Sequence, residues 1–122
     1  MSMDKLIADV KGLIEEEYGR ASIKFGATNN SDHESYAVLL EEVQEAQFEC
    51  KGVDLALSVF WEKCKKNDTD EYKLDICRKL ENRALLAACE FIQVAAMAHK
   101  AAVTVGDRSV FVDFTKQEGE SV

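Results

Sequence analysis

The sequence contains no proline, and only 6 of its 122 residues are glycine. Proline is the strongest helix breaker, and folds such as sandwiches and barrels depend on many turns, where proline and glycine are common. Its absence argues against a turn-rich β fold and favours a few long, uninterrupted helices. We therefore expect an all-α protein.

Positive charge is also scarce. The chain has 15 basic and 23 acidic side chains, so its formal net charge is −8. An acidic excess of this size repels a polyanion, so we expect no nucleic-acid polymer as a partner. Hydrophobic residues make up 47% of the chain. That fraction is enough apolar material for the core of one domain.

Zinc-binding cysteine pairs and long apolar runs are lacking as well. Four cysteines occur without any CxxC pair, at Cys50, Cys64, Cys77 and Cys89. They indicate reduced, partly buried thiols rather than a zinc site. No charged and then apolar leader opens the chain, and no run of about 18 apolar residues occurs. We therefore expect a cytoplasmic protein with no membrane partner.

Three segments have apolar residues at the spacings of three and four that characterise an amphipathic helix. They run from Asp4 to about Lys24, from Asp32 to about Lys66, and from about Glu71 to Val103. We expect residues 1–106 to form one helical domain. The tail, residues 107–122, has a weak alternating pattern and is expected to be extended or disordered.

Local signals mark where the helices begin and where one is interrupted. Ser31 and Glu34 have the spacing of a capping box at the start of the second helix. Asp68 or Asp70 is a candidate N-cap of the third helix. Residues 50–52 indicate a kink or short break in the second helix, because they include a glycine.

Long helices with apolar stripes cannot easily enclose one compact core by themselves. Two solutions are open: the second helix folds back at Gly52, or another subunit supplies the missing helices. We expect both, in a long-helix bundle that is completed by homo-oligomerisation.

Acidic residues border the apolar stripe of the second helix in the pattern EExxE, formed by Glu41, Glu42 and Glu45. On a helical wheel Glu42 lies at the edge of the stripe. In the third helix, Glu90 and Gln93 are one turn apart among alanines and larger apolar residues. Burying an unpaired carboxylate typically costs several kcal/mol, so buried charges are usually paired or bound to a metal.

If Glu42, Glu45 and Glu90 converge across a helix pair, their hard oxygen ligands suit Mg²⁺, or Mn²⁺, rather than zinc or copper. Gln93 would add a neutral oxygen ligand or position a water. The pattern EExxE also occurs by chance on solvated helices, which leaves a purely structural role open. A di-iron centre is excluded because neither histidine lies in a Glu-x-x-His pair.

Two segments together resemble the MazG-like all-α nucleotide pyrophosphohydrolases, especially their short phage-type and bacterial members. They are HESYAVLLEEVQEA at residues 33–46 and ACEFIQVAAMAHKA at residues 88–101. The resemblance covers about residues 33–102. It implies a protein in which an EExxE and an ExxD motif hold Mg²⁺. It also implies cleavage of a nucleoside triphosphate to the monophosphate and pyrophosphate, by a homodimer or homotetramer.

The resemblance assigns roles residue by residue. Glu41, Glu42 and Glu45 match EExxE, with Glu42 and Glu45 as the preferred direct ligands, and Glu90 matches the glutamate of ExxD. Gln93 stands where the family has aspartate, so one carboxylate is missing. Glu41 or Glu45 would accept the proton of the attacking water.

The cations that bind the substrate's phosphates must come from elsewhere in the chain. Candidates are Lys24, Lys63, Arg83 and Lys100, although each is also typical of a solvated surface. Two other functions stay open. One is a non-catalytic helical module that binds nucleotides or supports assembly and has a weakened metal site. The other is a helical oligomer without any site.

Overall fold

A computed structural model of the protein describes residues 2–106, and within that range every regular element is a helix. The helices are α1 (Met3–Phe25), α2 (Asp32–Lys65) and α3 (Asp70–Val105). The predicted all-α class is confirmed, and no predicted helix bound differs from the observed one by more than two residues. The predicted tail, residues 107–122, lies outside the described residues.

Helices α2 and α3 form a long hairpin joined by residues 66–69, and both α1 and α2 pack on α3. With 34 and 36 residues, the two hairpin helices are each about 50 Å long at about 1.5 Å per residue. Helix α1 has 23 residues. It is therefore too short to cover the whole hairpin.

The start of α2 has the cap that the sequence predicts. The Oγ of Ser31 accepts a hydrogen bond from the backbone N–H of Glu34 at 3.1 Å. The Glu34 carboxylate accepts from the N–H of Asn30, one residue before the position expected of a capping box. Both bonds satisfy backbone donors at the helix start.

The N-cap of α3 is Thr69, whose hydroxyl accepts from the N–H of Tyr72 at 3.3 Å. The prediction of Asp68 or Asp70 was therefore wrong. Asp68 instead accepts from the N–H of Thr69 at 2.8 Å and pairs with Lys63 at 3.3 Å. The Thr69 N–H, followed by Lys63, holds the pKa of Asp68 below its usual value.

Helix α2 continues without a break through Gly52, so the predicted fold-back at this residue was wrong. Gly52 serves a close approach between helices instead. A Cβ at this position would lie 3.2 Å from Cδ of Arg83. The missing side chain lets Arg83 of α3 lie against α2, where its Nη1 is 3.9 Å from Oε1 of Glu49.

The hydrophobic core is small and lies where α1 crosses the hairpin. Ile14 of α1 packs with Ala96 and Met97 of α3. Half-buried apolar residues of all three helices surround this cluster: Val10, Tyr18, Ala21, Val38, Leu39, Ile92 and Ala95. Ala96 is fully inaccessible to solvent, which shows how closely the helices approach here.

Hydrogen bonds tie the α1–α2 loop to the end of α3. The backbone N–H of Asn29 donates to the Thr104 hydroxyl at 2.8 Å, and its side-chain amide donates to the buried Ser35 hydroxyl at 2.7 Å. The Tyr18 hydroxyl donates to the carbonyl of Ala27 at 2.8 Å. The loop therefore has a defined position beside the hairpin.

The hairpin has two ends that differ in burial. We call residues 32–46 of α2 and 87–105 of α3 the near end, and residues 47–86 the far end. Within residues 2–106, every buried residue belongs to α1 or the near end. The far end exposes large apolar side chains: Phe48, Leu55, Leu57, Trp61, Tyr72, Leu74, Leu85 and Leu86.

By length and composition alone, α3 is apolar enough to cross a membrane. Its best 18-residue window has a mean hydropathy of 1.2, and 22% of that window is buried. The central helix of a soluble bundle passes the same test, so this single helix is weak evidence for a membrane span. The absence of a membrane partner stays a prediction.

Candidate metal centre and adjoining cavity

Three glutamates converge where α2 and α3 pack together at the near end. Glu42 and Glu45 are one turn apart on α2, and Glu90 lies opposite on α3. One carboxylate oxygen from each lies within 4.8 Å of the other two. The structure thus brings together the three carboxylates that the sequence singles out as metal ligands.

The cluster is electrostatically unfavourable without a cation. Partial burial raises the pKa of Glu42, and the charges of Glu45, Glu90, Glu41 and Glu17 raise it further. Like charges at this separation disfavour ionisation, whereas a divalent cation between them reverses the effect. Carboxylate oxygens are the donors that Mg²⁺ prefers, so the donor set fits this ion.

Glu41 is adjacent to the cluster in sequence but lies at its rim. Its side chain is exposed and lines the cavity described below as well as a smaller surface pocket with Glu45 and Glu90. It is therefore placed between the candidate metal centre and the cavity. A group that takes a proton from a water at the metal would occupy such a position.

Gln93, which the sequence predicts as a further metal ligand, forms a hydrogen bond with a residue of α1. Its side-chain amide donates to Oε2 of Glu17 at 2.7 Å. Glu17 also pairs with Arg20 on its own helix, and its side chain is 16% exposed. Gln93 thereby holds a fourth carboxylate close enough to the cluster to contribute to the raised pKa of Glu42.

Sequence reasoning missed Glu17. It lies in the run of residues 15–17, which looks like an ordinary solvated acidic face. The signal that was present is the period of α1, since Glu17 lies one turn after the buried Ile14. Only the way α1 crosses α3 shows that this glutamate reaches the site.

A cavity of about 640 Å³ opens beside the cluster, between α1, the α1–α2 loop and the near end. Its wall includes Glu41, Glu42 and Gln93 on the cluster side. The rest of the lining is apolar, amide and cationic: Glu17, Arg20, Ala21, Lys24, Phe25, Thr28, Asn29, Asn30, Glu34, Val38, Met97 and Lys100. Its volume is in the range of small-molecule binding sites.

The four predicted phosphate-binding cations divide into two groups. Lys24 and Lys100 line the cavity, together with Arg20, which the sequence did not single out. Lys63 and Arg83 lie elsewhere in the hairpin.

Lys63 is about 30 Å from Glu42 along α2 at about 1.5 Å per residue. It pairs with Asp68, and its Nζ lies 5.1 Å from the ring centre of Tyr72. Arg83 pairs with Glu49. Neither lines the cavity, because both belong to the far end.

Lys100 differs from the other cavity cations in burial. Its residue surface is only 6% exposed, whereas Arg20 and Lys24 are exposed. Its backbone carbonyl accepts a hydrogen bond from the Thr104 hydroxyl at 2.7 Å.

The two histidines lie away from the metal-binding geometry. His99 is buried, and its ring meets that of Tyr18 edge-on, with centroids 4.6 Å apart. It therefore helps to pack α1 on α3. His33 is exposed in the first turn of α2.

Comparisons with known proteins leave the geometry as the basis for any functional assignment. No family model, curated protein or solved structure matches this chain. What the chain has is a triad of carboxylates at the edge of a cavity that basic side chains also line.

Proposed function

We propose that the protein is a Mg²⁺-dependent nucleoside triphosphate pyrophosphohydrolase of the MazG-like type. The observation that carries this proposal is the convergence of Glu42, Glu45 and Glu90 at the edge of a cavity with cationic residues. A triphosphate needs both features, since its oxygens bind a divalent cation and its remaining charge needs basic side chains. The resemblance of residues 33–46 and 88–101 to that family supports the same reaction.

Glu42, Glu45 and Glu90 would hold the metal, which is Mg²⁺ or, alternatively, Mn²⁺. When bound, the ion supplies charge neutralisation on the phosphates and lowers the pKa of a water. All three donors are carboxylates, so the site offers no soft ligand for zinc or copper. Mg²⁺ binds through few carboxylates and keeps waters or substrate phosphates as further ligands.

The chain's own residues then orient the substrate and move a proton. A water attacks the α-phosphorus, the bond between the α-phosphorus and the bridging oxygen breaks, and pyrophosphate leaves. Glu41, at the rim of the cluster, or Glu45, its exposed member, accepts the proton of that water. Lys24 and Lys100 neutralise phosphate charge from the cavity side.

The assembly is part of the proposal, as a homodimer or homotetramer. Among the three helices that the structure describes, none covers the far end of the hairpin, and large apolar side chains are exposed there, Trp61 among them at 60%. Exposed apolar patches of this kind mark protein interfaces. A second copy of the chain would cover them and complete the bundle.

A second function is favoured by one observation, the contact of Gln93 with Glu17. In this alternative the chain is a non-catalytic helical module that binds nucleotides or supports assembly. Its metal site would be weakened, because an amide that holds α1 stands where the family has a carboxylate. The fold and the cavity would be the same.

Pyrophosphate release tests the proposal. The full chain is incubated with a panel of canonical and modified nucleoside triphosphates, with and without Mg²⁺. We expect Mg²⁺-dependent release from at least one nucleotide. Glu42→Gln and Glu45→Gln should each lower the rate by at least about 100-fold, a typical loss for a group that acts in the transition state.

The matched control is Glu62→Gln, which changes an exposed glutamate of the same helix that pairs with Lys65 at the far end. Its rate should equal that of the wild type. A wild-type protein inert on the whole panel, with activity gained by Gln93→Asp, would favour the non-catalytic module. No change in melting temperature with Mg²⁺ and nucleotide would leave a helical oligomer without a site.

A further inference from the structure

The hydrogen bond between Gln93 and Glu17 brings a residue of α1 to the candidate metal centre. We call the three converging glutamates the carboxylate triad: Glu42, Glu45 and Glu90. Gln93 lies one turn after Glu90 on α3, and its amide donates to Oε2 of Glu17 at 2.7 Å. Glu17 and Gln93 also line the same cavity as Glu42. The Glu17 carboxylate therefore lies on the cavity side of the triad.

A negative charge on Glu17 is unfavourable there unless a cation is nearby. Its side chain is 16% exposed, and it pairs with Arg20, whose side chain is 70% exposed, so water screens that attraction. Burial raises the pKa of Glu42, and the charges of neighbouring carboxylates, Glu17 among them, raise it further. A neutral amide at position 17 could accept the same hydrogen bond from Gln93. Holding α1 on α3 therefore does not explain why this residue is an acid.

The remaining hydrogen-bonding capacity of Glu17 suits a water on a bound cation. An ionised carboxylate has about four lone-pair sites, and the bonds from Gln93 and Arg20 occupy two of them. Glu17 stands outside the triad, so its place is beside the ligands of the ion. Mg²⁺ keeps several waters when few carboxylates bind it. Carboxylates that accept hydrogen bonds from the ligands of a metal orient those ligands and raise its affinity by about 10–100-fold.

We propose that Glu17 completes the metal centre from α1, by accepting a hydrogen bond from a water on the bound cation. This inference rests on the proposed function for the metal centre itself. It adds a positioning residue from a helix that contributes no member of the triad. Because coupling between two equilibria is reciprocal, a cation held in part by Glu17 also stabilises the docking of α1 on α3.

Equilibrium binding of Mn²⁺ to the full chain, without nucleotide, tests this inference. Electron paramagnetic resonance measures the free ion, and competition measures Mg²⁺. Glu17→Gln keeps an acceptor for the Gln93 amide and should weaken Mn²⁺ binding by at least about tenfold. The matched control is Glu16→Gln, which changes the exposed neighbour on the same helix and should bind like the wild type. Wild-type affinity in Glu17→Gln would overturn the inference.

A double variant separates the charge from the hydrogen bond. In Glu17→Gln, Gln93→Asp, the amide and the acid exchange helices, and a carboxylate returns to α3 one turn from Glu90. The same bond can form in the reverse direction, so Mn²⁺ affinity should recover most of the loss. A double variant that binds no more tightly than Glu17→Gln would show that no carboxylate is needed at this place.

Hydrogen exchange of α1, followed by mass spectrometry, gives a readout that a purely structural bond would not change. Mg²⁺ should slow exchange of residues 14–21 in the wild type by up to about tenfold, since reciprocity sets the same limit as for the affinity. In Glu17→Gln, Mg²⁺ should leave this exchange unchanged. Equal exchange of the wild type with and without Mg²⁺ would also overturn the inference, and this comparison needs no variant to fold.

The inference and the proposed function fail in different ways. Mn²⁺ binding that is lost in Glu42→Gln but intact in Glu17→Gln would remove the inference and leave the metal centre. Binding that depends on both glutamates, without pyrophosphate release from any nucleotide, would remove the hydrolase and leave the inference. A wild type that binds no Mn²⁺ would overturn the metal centre and the inference together.

Discussion

The two ends of the α2–α3 hairpin use the same pair of helices in different ways. At the near end, small side chains such as Ala46, Ala87 and Ala96 are buried, and α1 packs over the pair. At the far end, large side chains such as Leu57 and Trp61 are exposed. Apolar content alone therefore does not determine burial; the packing of α1 over one end of the hairpin does.

The comparison also separates two roles of the chain. Small residues let helices approach closely, and at the near end this closeness brings Glu42 and Glu90 together. The far end contributes no residue to that cluster. Its apolar side chains have the composition of an interface, so we propose that chemistry belongs to the near end and assembly to the far end.

The largest effect should come from placing charge on the far end. Leu57 and Trp61 are one turn apart on α2 and are 54% and 60% exposed. The double variant Leu57→Glu, Trp61→Glu should weaken self-association by at least about 100-fold, near 2.7 kcal/mol, because two charges would be buried in the interface. Sedimentation velocity measures the shift toward monomer.

The control for that experiment is Tyr36→Glu, which places a charge on an exposed residue of the near end. It should remain as associated as the wild type. A double variant that sediments like the wild type would show that the far end is not the interface.

A second, large effect is expected in the near-end core. Ile14→Ala removes the buried side chain that joins α1 to Ala96 and Met97, and it should lower the free energy of unfolding by about 2–4 kcal/mol. Leu13→Ala, on the neighbouring exposed face at 48%, should change it by less than about 0.5 kcal/mol. Urea unfolding followed by circular dichroism measures both, and equal losses would contradict the near-end core.

A moderate effect should depend on pH and on Mg²⁺. Burial and neighbouring carboxylates raise the pKa of Glu42 above its ordinary value of 4.5, so protonation favours the folded state. The stability associated with this group is fully present below about pH 4.5 and is lost as pH rises through the raised pKa. At neutral pH, metal-free Glu42→Gln should therefore be more stable than the wild type by about 1 kcal/mol.

Thermal unfolding across a pH series in EDTA tests this effect. The advantage of Glu42→Gln should vanish in acid, and Mg²⁺ should raise the melting temperature of the wild type more than that of the variant. A variant less stable than the metal-free wild type at neutral pH would contradict the repulsion among the carboxylates.

The smallest effects should come from ion pairs on the two ends. Lys79 and Asp75 form an exposed pair at the far end, with side chains 65% and 59% exposed, so Lys79→Ala should cost less than about 0.5 kcal/mol. Arg20→Ala should cost more, about 1 kcal/mol, because it leaves a carboxylate of Glu17 that is only 16% exposed without its cation. Urea unfolding compares the two variants, and equal losses would mean that the packing of α1 on α3 does not shield Glu17 from solvent.

Much of the fold follows from local rules that the sequence contains. The period of three and four residues predicts all three helices, and Ser31 predicts the start of α2. The prediction failed at Gly52, where a glycine serves close packing with Arg83 rather than a break. The predicted N-cap of α3 was also wrong. Asp68, Thr69 and Asp70 all have side chains able to cap a helix, and the structure uses Thr69.

The sequence also predicts some residues of the candidate site and not others. Glu42 and Glu45 share a helix edge by spacing alone, and Glu90 lies on the helix that a short connection folds back against them. Glu17 and the burial of Lys100 depend on where α1 crosses the hairpin. No pattern within one helix contains that information.

The four residues that join α2 to α3 (residues 66–69) also bear on the order of folding. A hairpin closed by so short a connection forms early, because closing a short loop costs little chain entropy. Helix α1 is separated from its partners on α3, such as Met97, by the whole length of α2. The carboxylate triad should therefore form with the hairpin, and the adjoining cavity should form last, when α1 docks.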